Sequence, residues 1–116
     1  MKSGTEGVAT SNYGRNLMKE MMLVYDGDQH RYAQIAGHGF RILAEAMEKD
    51  LPYEIKSPSL LICGTKDHAG SCIRYNREWH RKTKIPLKWI EGAGHNSNTD
   101  KPEMINNLIE EFLSNI

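Results

Sequence analysis

Two short apolar runs, each opened by a proline, set the strongest limit on how this chain folds. Pro58-Ser-Leu-Leu-Ile-Cys-Gly64 is continuous and bounded by Pro and Gly, the pattern of a strand buried on both faces of a parallel sheet. Pro86 introduces a second short buried strand, Leu87 to Glu91, which runs straight into Gly92-Ala-Gly-His95. Between them the spacing of Ile73, Asn76, Trp79 and His80 predicts a helix from about Ser71 to Thr83. After them Asp100, with Glu103 three positions on, reads as the cap of a last helix striped by Ile105, Leu108, Ile109, Phe112, Leu113 and Ile116. Strand, helix, strand, helix with short connections means parallel strands joined by a right-handed crossover. Two parallel strands leave two open edges and cannot cover both faces. The expected architecture is therefore α/β, with these strands part of a larger sheet and the chain prone to self-association.

The region before Pro52 has a different texture. Met1 to Ser11 is polar and glycine-rich without a period, and no role is assigned to it. Leu17, Met18, Met21, Val24 and Tyr25 predict a helix of about three turns that Asp26-Gly27-Asp28 interrupts. Tyr32, Ile35, Ala36, Phe40, Leu43, Ala44 and Met47 predict a longer one from about Asp28 to Lys49, with Asp28 as N-cap and Pro52 as the stop. The chain thus divides into a loose start with two helices, residues 1–52, and a strand-helix-strand-helix unit, residues 53–116.

Composition removes several classes. Fifteen acidic residues balance fifteen basic ones in 116, so the overall cationic footprint of a nucleic-acid binder is absent. The basic, aromatic-interleaved run Arg74 to Lys84 falls at helical spacing and reads as a solvated face. Two cysteines do not make a disulfide scaffold, which makes a reducing cytoplasm the default. No apolar run is long enough for a bilayer, and no secretion signal is read at the N-terminus, so no membrane partner is expected.

The chemistry concentrates at two strand ends. Asp67 lies in the loop leaving the first strand and His95 in the loop leaving the second, and neighbouring parallel strands about 4.8 Å apart bring both loops to one edge. A carboxylate that accepts the imidazole Nδ1 proton fixes the tautomer and leaves Nε2 free to take a proton from a nucleophile. Each residue also has an ordinary reading: Asp67 as a loop residue bonding its own backbone, His95 as a glycine-flanked surface histidine. Cys72 opens a helix downstream of the acid loop and is set aside as a nucleophile. His30 and His38 stand two helical turns apart, and Cys63 and Cys72 lack paired zinc spacing; neither a metal nor another cofactor is expected. His38, in Ala36-Gly-His38, reads as a helix residue.

In order, Pro58-x-Leu-Leu-Ile-Cys-Gly-Thr-Lys-Asp67, Ile90-Glu-Gly-Ala-Gly-His95-Asn and Asp100-Lys-Pro-Glu before a helix ending Phe-Leu resemble the C-terminal third of an α/β-hydrolase. The resemblance covers about Ser57 to Ile116. It implies that Asp67 is the acid and His95 the base of a Ser-His-Asp triad, and that the two helices before Pro52 correspond to the end of a cap over the active site. The departure is the nucleophile: no Gly-x-Ser-x-Gly elbow is present, and the early strands and oxyanion-hole loop are missing. The resemblance therefore implies a truncated hydrolase of ester, lactone, amide or C–C bonds. It would act on a small molecule only when completed by missing sequence and be inactive alone. The alternative is a non-catalytic remnant or interaction module that associates through its sheet edges.

Overall fold

A computed structural model describes residues 9–49 and 54–116. Its order is α1 (Asn12–Asp26), α2 (Gln29–Glu48), β1 (Leu61–Gly64), α3 (Cys72–Thr83), β2 (Leu87–Ile90), α4 (Ser97–Asp100) and α5 (Pro102–Ser114). The polar lead-in up to Val8, the Pro52 stop and the boundary drawn beside it lie outside the described residues.

The strands pair in parallel, with Leu61 opposite Leu87 and Gly64 opposite Ile90. Side chains alternate across such a pair, so Ile62 and Ile90 share one face and Leu61, Cys63 and Trp89 the other. Helix α5 closes the first face. There Ile90, Ala93 and Ile105 are buried, with Ile62 and Leu108 packed against them. Helix α3 lies against both strands on the other face, where Arg77 sits over the Trp89 ring at 5.3 Å. The burial expected of both strands holds for β1 but only in part for β2, whose Lys88 and Trp89 are exposed. Its outer side has no neighbouring strand among the described residues.

Local signals explain most boundaries. Asp28 caps α2 by accepting the Arg31 amide at 3.0 Å, as its position before the apolar stripe predicts. Ser11 does the same for α1, accepting the Gly14 amide at 2.9 Å. Helix α3 ends on Lys84 in the left-handed region, φ 63°, whose amide returns to the His80 carbonyl.

The expected cap of the last helix is not formed. Asp100 does not cap the last helix: Lys101 occupies the N-cap position of α5 and no side chain caps it. The cause is Pro102. Its ring disfavours helical geometry at the preceding residue, and Lys101 sits at φ −140°, ψ 61°. That break leaves Asp100 in the last turn of the short α4, with its carboxylate turned back toward the preceding loop. The α5 stripe is also less buried than its regularity predicts, with Ile109, Leu113 and Ile116 exposed.

Candidate functional site

The strand ends bring Asp67 and His95 together, and the reason begins with a glycine. A Cβ on Gly64 would fall onto the carbonyl oxygens of Ala93 and Gly94, so only glycine lets the two loops close on each other. Backbone bonds then bind them. The Thr65 amide donates to the Ile90 carbonyl at 3.0 Å and the Lys66 amide to the Ala93 carbonyl at 2.9 Å. The Gly92 amide, at φ 76°, donates to the Thr65 hydroxyl oxygen at 2.8 Å.

Asp67 is buried and His95 exposed, and His95 Nδ1 lies 3.0 Å from one carboxylate oxygen of Asp67 and 3.2 Å from the other. A carboxylate only accepts, so Nδ1 is the donor. Nε2 takes no hydrogen bond among the described residues. Asp67 also follows its ordinary loop reading: its Oδ1 accepts the Ala69 amide at 3.0 Å, two residues on. The two roles are compatible, because that turn helps fix the carboxylate that meets His95. An open groove of about 530 Å³ runs from Asp67 and His68 along α3 to Arg81; it borders Asp67 but not His95.

Asp100 supports the histidine from behind. Its carboxylate accepts the Gly94 amide at 2.9 Å, the Ser11 amide at 2.9 Å, the Ser11 hydroxyl at 2.7 Å and the Thr10 amide at 3.1 Å. Burial by itself raises the Asp100 pKa. The bonds from Ser11, Gly94 and Thr10 outweigh it and hold the group at about 2, against an ordinary 3.8. Gly14 leaves room for this, since a Cβ there would come within 2.7 Å of Asp100 Oδ1. The Asn96 amide nitrogen, next to His95, reaches Met18 Sδ at 3.0 Å and ties the loop to α1. Thr10 and Ser11, given no role from sequence, therefore brace the histidine loop. A serine just ahead of a helical stripe was the available signal.

Cys72, set aside as a nucleophile from its place at the start of a helix, stands beside this site. Its Sγ lies 3.8 Å from His95 Nδ1, while the buried Cys63 thiol points at Asp67 Oδ2 from 4.0 Å. Burial first, and the Asp67 carboxylate second, push both thiols up. His30 and His38 remain on α2, where the His38 ring faces Arg41. Arg74, Arg77, Arg81 and Lys82 are exposed, the last two beside Glu78, as a solvated helix face predicts. Among the described residues no helix is long and apolar enough to cross a membrane. Comparison with protein-family models, curated proteins and solved structures gave no match to this chain.

Proposed function

We propose that the chain is the acid-and-base-bearing part of an α/β-hydrolase-type domain, with Asp67 orienting His95 and the nucleophile supplied from outside these 116 residues. The observation that carries this reading is the 3.0 Å contact from His95 Nδ1 to Asp67 at the carboxyl ends of two adjacent parallel strands. It is the orienting half of a general-base arrangement, and it leaves Nε2 open to a hydroxyl. The unfinished sheet is consistent with it. Six apolar residues are buried among those described, and large ones such as Phe40, Leu43, Met47 and Leu113 are exposed. The radius of gyration is 16.3 Å, against about 13.4 Å for a compact chain of this length. The reaction class is what the resemblance to α/β-hydrolases implies: hydrolysis of a small-molecule ester, lactone, amide or C–C bond.

The test is made on the purified chain. Nitrogen NMR should place the neutral His95 proton on Nδ1, and Asp67→Ala should shift it toward Nε2. No hydrolysis of an activated ester should depend on His95. A ring protonated at Nε2 in the parent refutes the orienting role, and ester hydrolysis abolished by His95→Ala refutes the absence of a nucleophile.

A second reading, a non-catalytic module that associates through its open sheet edges, draws on the outer side of β2, which has no neighbouring strand among the described residues. A stable monomer in sedimentation at high concentration excludes it.

A further inference from the structure

A nucleophile in a base relay belongs on the imidazole nitrogen opposite the acid. Cys72 is on the wrong side for that. Its Sγ and the Asp67 carboxylate both face Nδ1, and one donor atom from each of Asp67, Cys72 and His95 falls within 4.8 Å of the others. Side chains that converge on one point, rather than forming a chain of proton partners, make the geometry of an ion site. We propose that Asp67, Cys72 and His95 bind a zinc-class divalent metal ion, with solvent completing a tetrahedral set.

Two of the three ligand spacings suit that ion, and the third, from Cys72 to Asp67, lies within 4.8 Å. Tetrahedral zinc with ordinary bond lengths holds nitrogen and oxygen ligands about 3.3 Å apart and nitrogen and sulfur about 3.6 Å apart. The corresponding separations here are 3.0 and 3.8 Å. The donor set is mixed, with one thiolate, one imidazole and one carboxylate, a combination suited to zinc and not to calcium or magnesium. Three protein ligands and one solvent position is also the pattern of sites with an open coordination place. Their placement gives rigidity and access together. Asp67 is buried and fixed by Ala69, Cys72 is the first residue of α3, and His95 is exposed and opens the site to solvent.

The proton count is definite. The metal takes the Nδ1 lone pair, so the neutral ring carries its proton on Nε2, and the Cys72 thiol releases one proton to solvent. A metal-loaded His95 presents a donor at Nε2 and cannot act as a base. The site would then switch off the proton-accepting role proposed above, but metal binding itself stands independently of that role.

The experiment is titration of the reduced, full 116-residue chain with Co(II), followed by competition with Zn(II). One equivalent should bind, with a thiolate-to-cobalt charge-transfer band and visible ligand-field bands of tetrahedral intensity. Cys72→Ala should remove the charge-transfer band. His95→Ala should weaken binding by about a hundredfold or more, since even outer partners of metal ligands are worth ten- to a hundredfold. Both side chains reach solvent, so the variants should keep the parent circular dichroism, and Cys63→Ala serves as the control with an unchanged band. No thiolate band in the parent overturns the site. So does a band lost with Cys63→Ala and kept with Cys72→Ala, or binding lost with His30→Ala and kept with His95→Ala.

Discussion

Between Thr65 and Asp100 the chain is held by short, directional bonds: Asp67 meets Ala69 and His95, Asp100 meets Gly94 and Ser11, and Thr65 meets Gly92. In the α1–α2 hairpin, Gly14 is the sole buried residue, α2 buries none, and the Tyr25 and Tyr32 rings meet at 4.9 Å in a tilted, partly exposed pair. Both regions carry strong sequence patterns. The difference is that the loops find their partners within the chain, whereas the apolar stripe of α2, beyond the Tyr32–Tyr25 contact, leaves Ile35, Phe40, Leu43 and Met47 exposed. An amphipathic period shows which face seeks burial, not whether burial is supplied.

The largest blow to this contrast should come from Gly64→Ala. Its Cβ meets backbone carbonyls that cannot rotate away, so a loss of about 3 kcal/mol or more is expected. Chemical denaturation measures it, and a near-wild-type midpoint would mean that the loops do not need this approach. Asp100→Asn should cost about 2 kcal/mol at neutral pH, the equivalent of its depressed pKa. The sign is definite. The folded value, about 2, lies below the ordinary 3.8, so this stability is fully present above that ordinary value and is lost as pH falls toward 2. Parent and variant should therefore converge in acid, and a difference that persists at low pH would assign the effect to packing. Lys84→Gly relieves a left-handed backbone and should gain up to about 1 kcal/mol, read as a small rise in melting temperature. Phe40→Ser on α2 should change stability by less than about 0.5 kcal/mol. A loss of several times that, or one that grows with protein concentration, would show that the exposed face is covered in solution.

Much of this was legible in the sequence. The two strands, the four long helices, the Asp28 cap and the Asp67–His95 pairing follow from periodicity, turn residues and the parallel-sheet rule. What escaped was set by contacts distant in sequence. Asp100 reads as a cap because it precedes a helix, and only the backbone break at Lys101 reveals that it serves Gly94 and Ser11 instead. Cys72 sits at Nδ1 because α3 starts close beside the His95 loop, and nothing in its flanking residues encodes that distance. The exposure of Lys88, Trp89 and the α5 outer stripe was illegible because a strand or helix sequence records its demand for a neighbour, not the neighbour's presence.

The Asp100 clamp has a consequence for the order of folding. The Asp67–His95 contact closes 28 positions and the Thr10–Asp100 contact 90. Chain-closure entropy puts these at about 3 and 4 kcal/mol respectively, so the strand-end pairing can form first and the attachment of α1 last. In the native state the sequence should run in reverse. The Thr10 and Ser11 amides should exchange with solvent ahead of the Thr65 and Lys66 amides, because the first helix can lift away while the two loops stay closed.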